Sequence, residues 1–266
     1  MTARGRKGSR SARRGSSAPP PPRADHAYFF DIDGTLVEIA EHPAEVELDR
    51  DLRGLIRLLH RRTGGAVALI SGRSISEVDR LFPETRLPAA GQHGIERRDA
   101  RGRTFRHEFS GELLARAHDR LRGIVAKYPG LMLEDKGLSV ALHYRQAPHL
   151  AGYSHWLLRS MLSEVGPAFT IQTGKRVVEL KPAGMDKGVA VMEFMNEKPF
   201  AGRLPVFVGD DRTDEFGFAM VNEMGGHSMK VGAGPTAATW RLRGVGAVRS
   251  WLESGLEVAG NEENSH

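Results

Sequence analysis

The stretch Phe29–Val37 constrains the fold more than any other, because an apolar run there ends in two carboxylates one residue apart. The run Ala27–Phe30 is followed by Asp31 and Asp33, and Gly34 then interrupts the extended pattern. A short apolar run that ends at a turn signal is typical of a buried strand, and open α/β sheets bind ligands at the carboxyl ends of strands. Two acids so close repel each other unless a cation separates them or one is protonated. A solvated turn rich in Asp is the alternative interpretation.

Strands and helices alternate on both sides of a central segment of different character. An uninterrupted apolar run such as 66–70 is typical of a strand that is covered on both faces. The order of strand, helix, strand and helix predicts an α/β fold with a Rossmann-like parallel-sheet core. The predicted core elements are strand 27–30, helix 48–61, strand 66–70, helix 75–81 with a Ser74–Glu77 capping box, an extended piece at 88–91, a helix from Lys187–Gly188, strand 205–208, a helix capped by Thr213 and strand 229–231.

The central segment contains two amphipathic helices, each followed by a pair of strands, which predicts an inserted α+β cap domain. Residues 97–108, at its start, are charged and loop-like. The predicted organisation is a disordered basic and Pro-rich tail at 1–24, a core made of 25–97 and 182–252, a cap at 98–181, and a flexible C-terminus at 253–266.

Composition restricts the classes of protein to which this chain can belong. Seven of its 38 Lys and Arg residues, and none of its 33 acids, lie in residues 1–23, so the remainder carries a net charge of −2. This distribution argues against a nucleic-acid-binding body, although the basic tail alone could contact a nucleic acid or an acidic surface. The chain has no Cys, which excludes disulfides and thiolate chemistry. No apolar stretch reaches the ~18–20 residues that span a bilayer, and a cytoplasmic monomer without a membrane partner is expected.

Four groups of polar residues follow predicted strands or begin predicted helices. Because the carboxyl ends of parallel strands meet at one edge of a sheet, these groups can converge there. They are Asp31 with Asp33, then Ser71, then Lys187, and finally Asp210, Asp211 and Asp214. Clustered carboxylates suit Mg²⁺, whereas an ammonium and a hydroxyl suit phosphate oxygens. One Asp could attack phosphorus while the other transfers protons to the leaving alcohol and from water. Each group also has a plain structural interpretation as a cap, a solvated lysine or a loop.

These motifs resemble those of the haloacid dehalogenase superfamily of Mg²⁺-dependent phosphatases over about residues 26–235. The motifs are Asp31-Ile32-Asp33-Gly34-Thr35-Leu36, Ser71-Gly72-Arg73, Lys187-Gly188 and Gly209-Asp210-Asp211 with Thr213-Asp214-Glu215. The resemblance implies that Asp31 is the nucleophile and Asp33 the acid and base, with Lys187 also catalytic. It further implies that Asp31, the backbone carbonyl of Asp33 and Asp210 hold Mg²⁺, that Asp211 and Asp214 support the metal, and that Ser71, Gly72 and Lys187 bind phosphate.

Alternation in the predicted cap strands separates an apolar face from a polar one. In the predicted strand 138–145, the apolar face consists of Leu138, Val140, Leu142 and Tyr144, and the other face consists of Ser139, Ala141, His143 and Arg145. In 175–181, Lys175, Val177 and Glu179 share one face. Such a polar face suits a polyol, and a plain solvated face is the alternative. Together with Gln92-His93-Gly94, Glu134-Asp135-Lys136 and Gly174–Pro182, it resembles the trehalose-6-phosphate phosphatase family. The resemblance implies a substrate-binding set of Arg73, His93, Glu134, Lys136, Arg145, Lys175 and Glu179.

The function predicted from these features is Mg²⁺-dependent hydrolysis of a small sugar phosphate, trehalose 6-phosphate, through a phospho-aspartyl intermediate. Another capped sugar-phosphate phosphatase, or a phosphosugar mutase, remains the enzymatic alternative. Binding of nucleic acid through the basic tail is the alternative from another class.

Overall fold

The central strand of the fold is β1 (His26–Phe30), whose five residues are all buried in this computed structural model. The structure describes residues 18–39, 46–107 and 110–263. Strand β1 pairs in parallel with β2 (Val67–Ile70) on one side and with β10 (Leu204–Gly209) on the other. Because neighbouring strands cover both edges of β1 and helices cover both faces, an apolar sequence is required throughout.

The larger sheet has five further strands: β3 (Ala89–Gly91), β4 (Glu96–Arg98), β5 (Thr104–Arg106), β11 (His227–Val231) and β12 (Trp240–Leu242). The order of its eight strands is β12-β11-β10-β1-β2-β3-β4-β5, and the sheet is parallel from β12 to β3. The last two strands, β4 and β5, add in antiparallel fashion at one edge.

Helices cover the two faces of this sheet and form two apolar clusters with it. The helices are α1 (Arg50–Arg62), α2 (Ile75–Leu81), α5 (Lys187–Met195), α6 (Glu215–Glu223) and α7 (Val245–Glu263). Side chains of α1, α2 and α7 pack on the face that carries Tyr28 and Phe30. Those of α5 and α6 pack on the face that carries Phe29 and Phe207. The Rossmann-like α/β core is therefore confirmed, and so is the Ser74–Glu77 capping box.

The inserted domain is a four-stranded antiparallel sheet that two helices cover on one face. Its elements are α3 (Gly111–Val125), β6 (Met132–Asp135), β7 (Val140–His143), α4 (Ala151–Val165), β8 (Phe169–Gly174) and β9 (Val177–Pro182), and the strand order is β6-β7-β9-β8. Val140, Leu142, Val178 and Leu180 face the helices, as their alternation predicts. The polar faces of β7 and β9 are consequently turned away from the apolar core of the cap.

The predicted start of the cap at residue 98 is wrong, because β4 and β5 belong to the core sheet. The charged segment 97–108 was expected to be a loop. Its Arg97 is instead buried between the rings of Phe105 and Phe194, at 4.8 Å and 5.0 Å, and pairs with Glu193 and Glu197. Cation–π contacts and ion pairs thus offset the cost of burying a strand whose sequence is charged.

Both predicted flexible ends contain ordered structure. Helix α7 continues to Glu263, into the segment that was expected to be flexible. At the other end, Pro22 is buried against Gly255, and the Trp251 indole donates a hydrogen bond of 2.8 Å to the Pro20 carbonyl. The predicted disorder of residues 1–17 lies outside the described residues. Among the residues that the structure does describe, no helix has the length and apolar character needed to cross a bilayer.

Removing residues 1–22 should destabilise the protein by about 1–3 kcal/mol more than removing residues 1–17, because only the longer deletion removes the buried Pro22 and the acceptor for Trp251. Urea unfolding monitored by tryptophan fluorescence measures this difference, and the shorter deletion is the control. Equal unfolding midpoints for the two proteins would show that residues 18–22 contribute nothing to the folded core.

Candidate active site

The ends of neighbouring parallel strands bring the predicted site residues together at one edge of the sheet. Asp31 follows β1, Ser71 follows β2 and Asp210 follows β10. Lys187 is the first residue of α5, which Asp186 caps by accepting the Val189 N–H. The site is thus assembled by the positions of strand ends and one helix start, as the sequence pattern predicts.

The Lys187 ammonium lies between two buried carboxylates. Its Nζ donates to Asp31 Oδ1 at 2.7 Å and to Asp214 Oδ1 at 2.6 Å, and the exposure of all three residues is 4% or less. Burial alone would lower the pKa of Lys187, but Asp214 and Asp31 together raise it well above its ordinary value. Lys187 is therefore a permanent cation that joins β1 to the segment after β10.

The carboxylate of Asp31, the predicted nucleophile, is oriented from both sides. Lys187 donates to Oδ1, and the Thr35 hydroxyl donates to Oδ2 at 3.3 Å. Burial raises the pKa of Asp31 well above its ordinary value; Lys187 opposes this shift, whereas Asp214 and Asp210 add to it. More positive charge nearby would favour its ionised form.

Asp210 provides the strongest sign of a cation site. Its Oδ1 is buried without a hydrogen-bond partner among the described residues, and one carboxylate oxygen each of Asp31, Asp210 and Asp214 lie within 4.8 Å of one another. Burial, with repulsion from Asp214 and Asp211, raises the pKa of Asp210 to about 6. Gly34, at φ +88°, lies so close that a Cβ there would be 2.2 Å from Asp210 Oδ2. The donor set is hard oxygen and acidic, so it fits Mg²⁺.

Asp214 organises this acidic segment from within. Its Oδ2 accepts the backbone N–H groups of Asp210 at 2.9 Å and Asp211 at 2.8 Å, while Oδ1 accepts from Lys187. Lys187 and the two N–H groups therefore hold both of its oxygens in place. Asp211 lies in the wall of the neighbouring cavity.

Asp33 has a different partner from Asp31. The Arg73 guanidinium binds both of its oxygens, at 2.6 Å and 2.7 Å, and Arg73 is only 8% exposed. Ser71 Oγ accepts the Arg73 backbone N–H at 3.1 Å, so the Ser71 hydroxyl retains its proton for another acceptor. The Arg73–Asp33 pair has no signal in the local sequence pattern, because the two residues are 40 positions apart.

A cavity of about 720 Å³ lies between the core and the cap. Asp33, Gly72, Arg73, Asp210 and Asp211 form its core side. Glu134, Lys136, Arg145 and Lys175, four residues of the predicted substrate-binding set, form its cap side. Residues that the sequence did not single out for substrate binding also line it: Ile39, Val46, Glu77, Gly130, Met132, His143, Gln146 and Val177. The period-2 pattern places His143 on the same polar face as Arg145, and His143 pairs with Glu134 at 2.7 Å.

Two residues of the predicted substrate-binding set lie behind the cavity wall. His93 and Glu179 are 8% and 3% exposed, and their side chains approach each other to 3.6 Å between Nε2 and Oε2. Burial lowers the pKa of His93 to about 4, against the influence of Glu179, so the imidazole is neutral at pH 7. These two residues form part of the contact between the core and the cap.

The fold and the site together define a capped α/β phosphatase of the haloacid dehalogenase type. The sequence profile of the trehalose-phosphatase family matches residues 29–245, and the chain belongs to this family. It is 49% identical over 231 residues to the trehalose-6-phosphate phosphatase of Escherichia coli (strain K12), covering 86% of each chain. It is 42% identical to a probable trehalose-phosphate phosphatase of Sinorhizobium fredii (strain NBRC 101917 / NGR234), covering 77% of each.

Solved structures agree with this assignment. A trehalose-6-phosphate phosphatase related protein superposes with a TM-score of 0.75 at 27% identity, over 89% of this chain and 99% of its own. The C-terminal domain of the Candida albicans trehalose-6-phosphate phosphatase has a TM-score of 0.77 at 20% identity, over 88% and 93% of the two chains, which supports the fold alone.

Replacing Lys187 with Met should cost about 3–5 kcal/mol of unfolding free energy at pH 7.5, because two buried carboxylates lose their shared cation. The loss should be smaller at pH 5. Without Lys187 the pKa of Asp31 rises further, and a carboxyl group with a raised folded-state pKa destabilises the protein increasingly as the pH rises from its unfolded-state pKa toward its folded-state pKa. Urea unfolding at the two pH values measures both effects.

Lys127→Met, at an exposed lysine, is the control and should change stability little at either pH. Adding Asp214→Asn to Lys187→Met should recover part of the lost stability, since one of the two uncompensated charges is then removed. A loss that does not depend on pH would contradict the electrostatic explanation.

Proposed function

We propose that this protein hydrolyses trehalose 6-phosphate to trehalose and phosphate, with Mg²⁺ and through a phospho-aspartyl intermediate. The observation that carries the proposal is the Asp31–Lys187–Asp214 cluster, which lies beside Asp210 in the wall of a cavity whose cap side is charged. The relatives from E. coli and S. fredii are named for the same substrate.

The cavity suits a phosphorylated disaccharide in size and in charge. Its volume of about 720 Å³ falls within the range of small-molecule pockets. Arg73 lies near the acidic floor, where a phosphate would be bound, while Glu134, Lys136, Arg145 and Lys175 lie on the cap side. Charged donors and acceptors form the stronger hydrogen bonds to neutral hydroxyl groups, so these cap residues are the proposed contacts for the sugar.

Mg²⁺ would be held by Asp31, Asp210 and the backbone carbonyl of Asp33, with Asp211 and Asp214 in support. The unpartnered buried oxygen of Asp210 and the raised pKa of Asp31 are both consistent with a divalent cation at this place. When bound, the ion would offset negative charge on the transferring phosphoryl group.

In the proposed first step, an Asp31 carboxylate oxygen forms a bond to phosphorus as the bond from phosphorus to the C6 oxygen of the sugar breaks. Asp33 gives a proton to that oxygen, so trehalose leaves as an alcohol. In the second step, water attacks phosphorus, Asp33 takes the proton of the water, and the bond between Asp31 and phosphorus breaks. Lys187, already fixed against Asp31, offsets charge in both steps.

The protein should release phosphate from trehalose 6-phosphate at least 10-fold faster, in kcat/KM, than from glucose 6-phosphate or sucrose 6-phosphate, because the cap contacts require the second glucose unit in the right geometry. EDTA should abolish the activity and Mg²⁺ should restore it. Equal rates on the three substrates would indicate a general sugar phosphatase. A dependence on a sugar bisphosphate would indicate a mutase.

Asp31→Asn should reduce kcat at least 10⁴-fold with little effect on folding, since the amide keeps the shape but is a poor nucleophile. Phosphate release and the thermal unfolding midpoint together measure this outcome. Asp51→Asn, at an exposed position on α1, is the control and should behave like the wild type. Near-normal turnover of Asp31→Asn would exclude the phospho-aspartyl route while leaving the substrate assignment open.

A further inference from the structure

Glu96 has a buried carboxylate that the proposed chemistry does not use. It lies on β4, near one edge of the core sheet, and is 4% exposed. Arg106, whose Nε is 3.7 Å from Glu96 Oε2, has an exposed side chain. A buried carboxylate is costly unless it is paired or hydrogen-bonded. The closest partner of Glu96 therefore indicates what this residue does.

That partner is the backbone of Ile75, the first residue of α2. The Ile75 N–H donates to Glu96 Oε1 at 2.7 Å in a buried environment. Hydrogen bonds to an ionised acceptor are the stronger kind. Gly91, which pairs with Glu96 across the sheet, leaves room for this contact, since a Cβ at Gly91 would be 2.8 Å from both Glu96 Oε1 and Ile75 N. The carboxylate of Glu96 is thus held directly behind the start of α2.

The predicted phosphate loop, residues 71–73, leads into the start of α2. The Ser71 N–H donates to the Ala90 carbonyl at 2.9 Å, and the Arg73 N–H donates to Ser71 Oγ at 3.1 Å. The Gly72 N–H has no acceptor among the described residues, and Gly72 lines the cavity. The loop therefore offers one backbone donor, together with the Ser71 hydroxyl, to the oxygens of a phosphate.

The turn that precedes Glu96 holds the same loop from its other side. Gln92 and His93 have φ of +47° and +59°, a region that residues other than glycine seldom adopt. Their N–H groups donate to the carbonyls of Arg73 at 2.8 Å and Ser71 at 2.9 Å. One short segment thus binds the loop through its backbone and binds the start of α2 through the Glu96 side chain.

We propose that Glu96 is a positioning residue for the phosphate group of the substrate. By accepting the Ile75 N–H, it holds the end of the loop so that the Gly72 N–H and the Ser71 hydroxyl stay directed at the phosphate. Neither Glu96 nor Ile75 lines the cavity, so Glu96 acts through the loop and not by contact. This inference rests on the proposed function, because it assigns a support to the phosphate end of the same cavity.

Loss of the Glu96 carboxylate would leave the buried Ile75 N–H without an acceptor, and the chain around it would relax toward another one. The two donors of the loop would then depart from the geometry that a phosphate requires. The proposed sugar contacts lie on the cap and would stay in place. The loss of affinity should therefore follow the phosphate group and not the sugar.

Inorganic phosphate and trehalose, the two products of the proposed reaction, test this separately as competitive inhibitors in the presence of Mg²⁺. Glu96→Ala should weaken inhibition by phosphate, and raise KM for trehalose 6-phosphate, by about 5- to 30-fold each, which is part of the worth of one hydrogen bond to a charged group. Inhibition by trehalose should change by less than about 2-fold. Glu96→Gln keeps an acceptor oxygen and should bring phosphate inhibition to within about 3-fold of the wild type.

Glu96→Asp separates the reach of the side chain from its charge. It keeps the carboxylate but is one methylene shorter, so it should weaken phosphate inhibition as Glu96→Ala does. Thermal unfolding of every variant confirms that folded proteins are compared, and Glu96→Asp still tests the proposal if Glu96→Ala does not fold.

Asp99→Ala is the matched control. Asp99 is 3% exposed and accepts the backbone N–H groups of Arg101 at 2.9 Å and Arg103 at 2.8 Å, so it is also a buried carboxylate that binds backbone near this edge of the sheet. Its contacts lie away from the phosphate loop. Asp99→Ala should lower the thermal unfolding midpoint but leave inhibition by phosphate unchanged.

Equal losses of affinity for phosphate and for trehalose in Glu96→Ala would overturn the proposal, because they would indicate a general disturbance of the cavity. An unchanged phosphate affinity in Glu96→Ala, or an equal loss in Asp99→Ala, would also overturn it. Failure of the proposed function would be recognised separately, because the wild type would then show no preference for trehalose 6-phosphate over glucose 6-phosphate. Binding of inorganic phosphate, measured by calorimetry, would still decide the role of Glu96.

Discussion

The ion pairs of Lys187 with Asp31 and Asp214 are the interaction on which the rest of the site depends. They join the end of β1 to the segment after β10 within a nearly dry environment. Asp214 in turn accepts the backbone N–H groups of Asp210 and Asp211, so the lysine indirectly fixes the acidic loop. A buried ion pair contributes little net stability, but it fixes geometry, because breaking it leaves an uncompensated charge.

Sequence reasoning could predict that the core site residues converge, because these residues follow regular elements. Asp31, Ser71, Lys187 and Asp210 lie at strand ends or a helix start, and parallel topology alone then brings them together. Sequence reasoning did not predict the edge strands β4 and β5, because the pattern of their residues is not that of a buried strand. Strand β4 has the sequence Glu96-Arg97-Arg98, and its burial depends on distant partners such as Phe194 and Glu197. A local pattern contains no information about such partners.

The cap shows a second limit of sequence reasoning. Alternation puts Lys175 and Glu179 on one polar face, but Lys175 lies in the turn between β8 and β9 and lines the cavity, whereas Glu179 lies behind the cavity wall. How closely the β8–β9 hairpin packs against the core decides whether a residue lines the cavity or lies behind its wall. The alternation of side chains along a strand contains no information about this packing. The Arg73–Asp33 pair is likewise a product of tertiary packing alone.

The core and the cap keep their apolar clusters separate, and this separation bears on how a substrate enters. The cap cluster contains residues from α3 to β9, and neither core cluster shares any of them. Around Lys136 and Gln92, the described contacts between the core and the cap are hydrogen bonds and ion pairs. Water can replace these contacts when the two domains separate. Hinged opening of the cap would therefore expose the cavity at a lower cost than disrupting a shared apolar core. The same polar contacts would then re-form around a bound sugar, so closure and recognition would depend on one set of residues.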